Sequence, residues 1–266
     1  MNSIDFAREI RKLSVEMVYR AQASHIGGAM SMVDILSVLY TDVMKFDANK
    51  PECDGRDRFV LSKGHACVSY YATLALAGFY PLADLDTYAK KGSSFLCHIS
   101  HHVPGVEFSA GSLGHGLPIA TGLALAGQRQ KKGFKTFVLL GDGEMDEGSN
   151  WEALLFAAHH HLNNLCAIID YNKIQSFGDT NKVINLEPLA DKLRAFNCNV
   201  IEVDGHNHDA LRAAFMGFNE QTDKPTVIVA HTVKGKGVSY MENELAWHYK
   251  SPSEEQFNQA MEEIAR

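Results

Sequence analysis

The chain has 266 residues, 45% of them hydrophobic and 21% charged, and a formal net charge of −7 at pH 7. This composition is that of a globular protein with a full core, and an acidic balance without a basic run argues against nucleic-acid binding. No apolar run approaches the length of a membrane span, and the acidic-polar start of the chain is unlike a signal peptide. We therefore expect a cytoplasmic protein that binds neither nucleic acid nor membrane.

The predicted elements alternate between helix and strand along most of the chain. Apolar residues at helical spacing predict a first helix over 3–23, and Ser31 with Asp34 three positions later has the capping-box pattern of a second helix through Tyr40. The later predictions, in order, are a strand over 58–61, a helix ending at 77, a helix over 117–130, a strand over 137–140, a helix over 147–162, a strand over 165–169, a helix over 189–196, a strand over 200–203, a helix over 209–218, a strand over 226–230 and a helix from 253. This order predicts an α/β fold in one domain, 1–266, with a mainly parallel sheet and helices on both faces.

Some segments lack a periodic pattern, and the cysteines lack a pairing pattern. Residues 90–116 are predicted to be irregular, and 234–249 to be an ordered loop because it holds Trp247 and His248, which are costly to expose. The histidines of 159–161 lie near a helix end and are predicted at the surface. With no CxxC pair, we expect free buried thiols in a reducing compartment at Cys53, Cys67, Cys97, Cys166 and Cys198.

The stretch from Phe134 to Ile174 carries the clearest chemical signal. It predicts a strand, the turn Gly141-Asp142-Gly143, a helix and a second strand followed by Asn172. Because a βαβ unit is right-handed with parallel strands, Asp142 and Asn172 should meet at the carboxyl edge of the sheet. A carboxylate, an amide oxygen and free N–H groups at a helix entrance are what a magnesium-bound diphosphate needs. We therefore predict a metal–diphosphate site at this edge.

The same residues carry a resemblance to a known family. Gly141-Asp142-Gly143 followed about thirty residues later by Asn172 resembles the motif shared by thiamine diphosphate enzymes. The words GDGEMDEGSNWEA, SHIGGAMSMVDIL, SKGHA, PGVEFSAGSLGHG and KGKG followed by WH are similar to the N-terminal segment of transketolases. These words run from Ser24 to His248 and cover nearly the whole chain. Because single-polypeptide transketolases are much longer, the chain resembles the N-terminal subunit of a split transketolase, which implies the thiamine diphosphate-binding fold.

This resemblance implies two cofactors, thiamine diphosphate and Mg²⁺ or another divalent cation such as Ca²⁺ or Mn²⁺. The implied metal ligands are Asp142, Asn172 and the backbone carbonyl of Ile174. Glu147 matches an acidic residue that joins the two cofactor sites across the subunit interface, and the matches for further buried acids of that network are Glu152 and Asp170. The residues implied around the diphosphate and the aminopyrimidine are His65, Gly111, Leu113, Gly141 and Gly143.

Four of the thirteen histidines match active-site positions of the family: His25, His65, His98 and His248. Glu147 completes the implied catalytic set. Transfer of a two-carbon ketol unit needs a group that takes a proton from the C3 hydroxyl of a ketose and returns it to the acceptor aldehyde. A side chain that titrates near neutrality suits that task. The resemblance implies His25 and His248 for the proton transfer, and His98 as the partner of the C1 hydroxyl.

The sequence departs from the family pattern at the mouth of the implied substrate channel. Cys97-His98-Ile99 stands where Gly-His-Pro is usual, Ser24 where glycine is usual, and His115 where glutamine is usual. The implied substrates are sugar phosphates, but these departures put ordinary pentose phosphates in question. The alternative is a non-standard donor, because split transketolases are known that process apulose 4-phosphate or the sulfosugar 6-deoxy-6-sulfofructose.

The resemblance also implies a partner, because the family's pyrimidine-activating glutamate lies in the pyrimidine-binding domain. We expect a C-terminal, pyrimidine-binding transketolase subunit, an α2β2 heterotetramer and no activity from this chain alone. One alternative is a deoxyxylulose phosphate synthase-like or dehydrogenase-type component, which the chain length and the histidine set disfavour. Another is a cofactor-binding scaffold without turnover, which intact Asp142, Asn172 and Glu147 disfavour.

Overall fold

A parallel five-stranded sheet organises the molecule. The computed structural model describes residues 1–221 and 223–266. In chain order its strands are β1 (Arg58–Leu61), β2 (Thr136–Gly141), β3 (Leu165–Tyr171), β4 (Ile174–Gln175), β5 (Gly178–Asp179), β6 (Asn199–Asp204) and β7 (Thr226–His231). The large sheet has the order β1-β2-β3-β7-β6 with every pair parallel, and β4 and β5 form a small antiparallel hairpin.

Helices fill the connections between these strands. They are α1 (Ser3–Ala21), α2 (Ile26–Ser31), α3 (Val33–Val38), α4 (Cys67–Leu76), α5 (Gly116–Arg129), α6 (Gly148–His159), α7 (Thr180–Val183), α8 (Leu189–Ala195), α9 (His208–Glu220) and α10 (Glu254–Ala265). A π-helical turn, Leu39–Val43, follows α3, and 3-10 turns lie at Gly64–Ala66, Leu82–Thr87, Gly143–Asp146 and Leu245–His248. Within the described ranges, no helix is long and apolar enough to cross a membrane.

The sheet is buried on both faces. Along β2, Phe137 and Leu139 belong to one hydrophobic core, while Val138 and Leu140 belong to the other, as the alternation of side chains along a strand requires. Helices α1, α3, α4, α9 and α10 contribute to the first core, and α5, α6 and α8 to the second. The predicted α/β architecture, with a mainly parallel sheet and helices on both faces, is confirmed.

Strand register brings the functional turns to one edge. Gly141 at the end of β2 is level with Asp170 of β3, and Tyr171 is level with His231 at the end of β7. The residues that follow these three strands therefore leave the sheet side by side. This is the edge at which open α/β sheets bind their ligands.

The prediction for the second helix is wrong in its start and its cap. Ser31 is the last residue of α2, and its hydroxyl donates to the Gly28 carbonyl at 3.1 Å and to the Asp170 carboxylate at 2.5 Å. Asp34 lies in α3, where its carboxylate accepts hydrogen bonds from Arg11. The helix that follows, α3, has Met32 at its N-cap and no side-chain cap, because the Ser31 hydroxyl donates to carbonyl and carboxylate oxygens and Asp34 binds Arg11.

The prediction of an ordered loop is confirmed, and the expectation that all cysteines are buried is wrong for two of them. Residues 234–249 form an ordered loop, in which Trp247 is buried and its indole N–H donates to the Tyr240 carbonyl at 2.7 Å. The free cysteines Cys67, Cys166 and Cys198 are buried, as expected, but Cys53 and Cys97 are exposed. The expectation of buried thiols is wrong for these two because both lie in irregular surface segments rather than in helices or strands.

Candidate active site

A cleft of about 230 Å³ opens at the carboxyl edge of the sheet. Of the site residues expected from the sequence, all except Glu147 line it: His25, His65, His98, Gly111, Leu113, Gly141, Asp142, Gly143, Asn172, Ile174 and His248. The further lining residues are Gly28, Lys63, Glu144, Gln175, Ser176 and Lys234. The fold therefore gathers residues that are up to 223 positions apart in the sequence, from His25 to His248, around one cavity.

Oxygen donors suited to a divalent cation meet where β2 and β3 end. Asp142 accepts the N–H of Gly143 at 2.7 Å through one carboxylate oxygen and the N–H of Lys173 through the other. The Asn172 amide oxygen accepts the N–H of Ile174 at 3.1 Å. These bonds join the turn after β2 to the turn after β3 and orient the oxygens. Each oxygen has a second lone pair for a cation.

The donor set fits a hard cation that also binds phosphate. Burial and the Asp170 carboxylate raise the pKa of Asp142 to about 6, although the charge of Lys63 opposes this, and a bound cation would stabilise the ionised carboxylate further. Among residues 1–221 and 223–266, no group of three or more His, Cys, Asp or Glu side chains could hold a metal by itself. One carboxylate, one amide and one backbone carbonyl instead suit Mg²⁺, which takes its remaining ligands from phosphate and water.

Glycines make room for the organic ligand and for close packing at the site. A Cβ added at Gly28 or Gly111 would meet no atom closer than 3.9 Å, so both positions open into the cleft. A Cβ at Gly143 would lie 2.7 Å from Cβ of Gln175, in the β4–β5 hairpin. Glycine at 143 therefore lets this hairpin approach the entrance of the helical segment, where free N–H groups favour phosphate.

Two buried lysines that were not expected at the site from the sequence line the cleft. Lys63, just after β1, donates to the Gly28 carbonyl at 2.8 Å and pairs with Asp170. Lys234, after β7, donates to the Ile174 carbonyl at 2.8 Å, and burial lowers its pKa to about 8. Lys63 stands in the word SKGHA, separated by one residue from the predicted strand 58–61, and Lys234 stands in KGKG, separated by three residues from the predicted strand 226–230. Their ammonium groups suit a diphosphate ligand.

The four matched histidines form one cluster beside these groups. The ring centroid of His25 lies 5.1 Å from that of His65, 5.8 Å from that of His98 and 5.1 Å from that of His248. Burial lowers the pKa of His25, His65 and His248, to about 3 for His248, where Lys234 adds to the effect. These three rings are therefore neutral at pH 7, and each neutral ring carries one donor and one acceptor nitrogen.

A close backbone contact brings His98 to this cluster. The N–H of Ile99 donates to the Gly64 carbonyl at 2.9 Å. A Cβ at Gly64 would lie 2.1 Å from the carbonyl oxygen of Ala110, so only glycine allows the irregular segment to pack on the turn that carries His65. Another ring of the cluster is contacted by its preceding residue, since the Ser24 hydroxyl lies 2.9 Å from Nδ1 of His25.

The acidic residues differ from expectation. Glu147 is exposed at the start of α6, outside the cleft, and Glu152 is not buried. Glu152 lies on a part of α6 that the core of this chain does not cover, so its burial in a network across the subunit interface stays a prediction. Asp170 is buried as expected, and Lys63 lowers its pKa although burial opposes this. The buried acid that sequence reasoning missed is Glu144, which accepts the N–H groups of Gly114 and Gly141.

The departures from the family pattern lie in different places. Ser24 contacts the cluster through His25, and Cys97 is exposed next to His98. His115 is exposed at the start of α5 and does not line the cleft. Its substitution therefore has no structural link to the mouth of the cavity in this chain.

Comparisons with known proteins agree with this geometry. Residues 3–264 match the family model described as "Transketolase, thiamine diphosphate binding domain". An apulose-4-phosphate transketolase subunit from Phocaeicola vulgatus is 42% identical over 96% of this chain and 91% of that protein. The 6-deoxy-6-sulfo-D-fructose transketolase subunit SqwG of Clostridium sp. is 40% identical over 98% of this chain and 95% of that protein.

The fold is that of solved transketolases. The Leishmania mexicana transketolase superposes with a TM-score of 0.95 at 32% identity, and the match covers 100% of this chain but 42% of that one. The predicted family, its fold and its cofactors are confirmed. The chain belongs to the transketolase family, as an N-terminal subunit that binds thiamine diphosphate with a divalent cation such as Mg²⁺ and works with a second subunit.

Proposed function

We propose that this chain, joined to a pyrimidine-binding partner, transfers a two-carbon ketol unit from a ketose donor to an aldose phosphate acceptor. The observation that carries the proposal is the position of His25, His65, His98 and His248, clustered within one cavity beside Asp142 and Asn172. A metal–diphosphate cradle alone would serve many reactions. Neutral histidines beside the cradle supply the proton acceptors that ketol transfer needs.

In this proposal the chain holds the cofactor at its diphosphate end. Asp142, Asn172 and the Ile174 carbonyl bind the cation, and Gly143, whose own N–H donates to Asp142, contacts the diphosphate. The remaining cofactor contacts are Gly141, His65, Gly111 and Leu113, all of which line the cleft. Thiamine diphosphate, when bound, supplies the nucleophilic carbon and the electron sink for breaking the bond between C2 and C3 of the donor.

The histidines bind the donor and move its protons. His25 and His248 take the proton of the C3 hydroxyl and return it to the acceptor aldehyde, while His98 binds the C1 hydroxyl and His65 stays beside the diphosphate. The lowered pKa values keep both rings neutral at pH 7 and leave each an acceptor nitrogen, but a pKa of about 3 makes His248 a weaker base than a group that titrates near neutrality. The positive charge of Lys234 nearby helps to keep both rings neutral.

We assign the missing half of the site to a C-terminal, pyrimidine-binding subunit in an α2β2 heterotetramer. Glu147 supports this arrangement, because an exposed carboxylate at the start of α6, next to a cleft that it does not line, is free to reach another chain. Residues 1–266 then act as a single domain, and the buried free thiols of Cys67 and Cys166 support a cytoplasmic location.

A second candidate concerns the donor. The relatives that match along nearly their full length carry the names of apulose-4-phosphate and 6-deoxy-6-sulfo-D-fructose transketolase subunits. Cys97, exposed beside His98, and Ser24, bonded to His25, change the surroundings of two proposed substrate-binding rings. Both points favour a non-standard donor over an ordinary pentose phosphate. The names of these relatives also favour a transketolase over a deoxyxylulose phosphate synthase-like or dehydrogenase-type component and over a scaffold without turnover.

Reconstitution tests this proposal. The chain is combined with its partner subunit, Mg²⁺ and thiamine diphosphate, and fructose 6-phosphate, apulose 4-phosphate and 6-deoxy-6-sulfofructose are compared as donors by kcat/KM. Ketol transfer that requires both chains supports the split-enzyme proposal, and the preferred donor decides the second candidate. Full-rate transfer by this chain alone, or carbon dioxide release from pyruvate without ketol transfer, would show the proposal to be wrong.

A further inference from the structure

The parallel ladder between β6 and β7 continues past the last strand residue. Asp204 of β6 is level with His231 of β7, and the Gly205 N–H donates to the His231 carbonyl at 2.8 Å. Beyond this point the chain after β6 turns into α9, while the chain after β7 runs on toward the cleft. The N–H of Val233 then donates at 2.8 Å to Nε2 of His206. An imidazole nitrogen thus takes the place of a strand carbonyl.

Hydrogen bonds fix the ring of His206 at both nitrogens. Because Nε2 accepts the Val233 N–H, it carries no proton, and the ring proton is on Nδ1. Nδ1 donates to the Asp34 carboxylate at 2.7 Å. Asp34 is 4% exposed and is held in turn by Arg11 at 2.6 Å and by His208 at 3.1 Å. The ring therefore links a buried, charged anchor to the backbone after β7.

The residue after Val233 is the cleft lysine. Lys234 is 2% exposed, its Nζ donates to the Ile174 carbonyl, and Nζ lies 3.2 Å from Nδ1 of His248. The next residue, Gly235, has a φ of +78° and donates its N–H to the Gly27 carbonyl at 2.9 Å, so the backbone is held after the lysine as well. A fixed contact immediately before the lysine therefore restricts where its ammonium group can lie.

We propose that His206 is a positioning residue, which holds Lys234 at the diphosphate through the backbone of Val233. The inference rests on the proposed contact between Lys234 and the diphosphate, and it adds a chain of contacts, from Asp34 through His206 to Val233, that ends at the backbone just before Lys234. His206 does not line the cleft and touches neither the cofactor nor the substrate.

The two ring contacts can be removed one at a time. His206→Asn places an amide nitrogen near the position of Nδ1 and keeps a donor for Asp34, but it loses the acceptor for the Val233 N–H. His206→Gln reaches the position of Nε2 with its amide oxygen and keeps that acceptor, but it loses the bond to Asp34. His208→Asn is the matched control, because His208 also binds Asp34, at 3.1 Å, but has no bond to the loop.

The test measures binding of Mg²⁺–thiamine diphosphate to the assembled complex of this chain with its partner subunit. His206→Asn should weaken binding about 10–100-fold, as loss of an outer contact does at metal sites. His206→Gln should weaken binding less, because it keeps the acceptor for the Val233 N–H, and His208→Asn should bind like the wild type. Lys234→Met should weaken binding as well, and adding His206→Asn to it should have no further effect, since both substitutions act through one ammonium group.

Three outcomes would overturn the proposal: unchanged binding in His206→Asn, equal weakening in His208→Asn, or additive effects of His206→Asn and Lys234→Met. If His206→Asn does not fold, His206→Gln still decides between the outcomes. His206→Gln keeps the acceptor for the Val233 N–H, so if it weakened cofactor binding as much as Lys234→Met does, a role of His206 through that N–H would be contradicted. The readout separates this inference from the proposed function. Wild-type binding without ketol transfer would refute the function alone.

Discussion

The backbone N–H of His25 donates a hydrogen bond of 3.0 Å to the carbonyl oxygen of His248. His25 has a left-handed backbone with a φ of 71°, a conformation that costs a residue other than glycine about 1–3 kcal/mol and that persists where surrounding contacts enforce it. The bond to His248 is one such contact. It joins the loop after α1 to the loop before α10 and holds two proposed proton-transfer rings in a fixed relation.

His25→Asn should lower kcat for ketol transfer by about 10²–10⁴-fold, the usual contribution of a general base. Asparagine tolerates the left-handed backbone, so the bond to His248 should survive and binding of Mg²⁺–thiamine diphosphate should stay as in the wild type. Steady-state kinetics and a binding titration on the assembled enzyme measure both. His159→Asn, at an exposed histidine of α6, is the control. Equal kcat values for His25→Asn and the control would remove His25 from the proton-transfer step.

Asp142→Asn should separate metal binding from folding. Because burial and Asp170 raise the pKa of Asp142 to about 6, above its value in the unfolded chain, the folded state favours the protonated carboxyl. The protonated carboxyl therefore stabilises the folded chain below the pKa of the unfolded chain, and this stabilisation is lost as the pH rises through about 6. At pH 7 the carboxylate is ionised and lowers the free energy of unfolding. The amide removes this charge but can accept only one of the two N–H bonds, from Gly143 and Lys173. Because the two effects oppose each other, the free energy of unfolding of the cofactor-free chain should change by no more than about 1–2 kcal/mol.

The same substitution removes a proposed metal ligand. Binding of thiamine diphosphate in the presence of Mg²⁺ should weaken by more than the roughly 10–100-fold that loss of an outer contact costs. Asp179→Asn, at an exposed position at the end of the β4–β5 hairpin, should change neither quantity. Calorimetric titration measures the binding of thiamine diphosphate, and urea unfolding measures the free energy of unfolding of the cofactor-free chain. A variant that binds the cofactor normally with Mg²⁺ would rule out Asp142 as a ligand.

The sequence predicts contacts within one βαβ unit, but it does not predict contacts between elements that are far apart in the chain. Asp142 and Asn172 could be placed together because the handedness of a βαβ unit fixes their relation, and β1 matches its predicted span, 58–61. The local cap predicted at Ser31 is wrong because the partner of its hydroxyl, Asp170, is 139 residues away. Periodicity reports which face of an element is apolar, but it does not report which distant polar groups meet.

The same limit explains the functional residues that were missed. His206 was assigned no role, because its partners Asp34 and Val233 belong to separate elements. Lys234 stood in a quoted sequence word, but its burial depends on packing against Gly27, where an added Cβ would lie 3.3 Å from the lysine stem. The four histidines of the cluster could be identified only through the resemblance, since nothing local distinguishes them from the histidines of 159–161.

Gly64→Ala should damage the site through the backbone. An added Cβ would lie 2.1 Å from the Ala110 carbonyl oxygen, and relieving that overlap moves the segment that carries His98 away from His65. We expect a loss of about 1–3 kcal/mol in unfolding free energy and a larger KM for the donor, because His98 is the proposed partner of the C1 hydroxyl. Gly55→Ala, where no atom lies within 4 Å, is the control. Unchanged stability and KM in Gly64→Ala would contradict this account of the loop.

Asp34 should make the fold sensitive to acid. Burial opposes its ionisation, but the hydrogen bonds from His206 and His208 and the charge of Arg11 outweigh that effect and lower the pKa of Asp34 far below its ordinary value. A carboxyl with a depressed folded pKa contributes stability that is fully present above the unfolded pKa, about 3.9, and is lost as the pH falls through the folded pKa. Asp34→Asn should therefore cost about 3–5 kcal/mol at pH 7, the usual effect of breaking a buried ion pair.

Urea unfolding at pH 7, 5, 4 and 3 measures this effect. The difference in unfolding free energy between the wild type and Asp34→Asn should be constant from pH 7 to pH 5 and should shrink below pH 4, as protons begin to bind the unfolded carboxyl. Asp86→Asn removes an exposed partner of Arg20, and it should change stability little at any pH, because exposed pairs are screened by solvent. A difference between wild type and Asp34→Asn that grows as the pH falls from 5 to 3 would mean that the carboxyl is destabilised, not stabilised, by its surroundings.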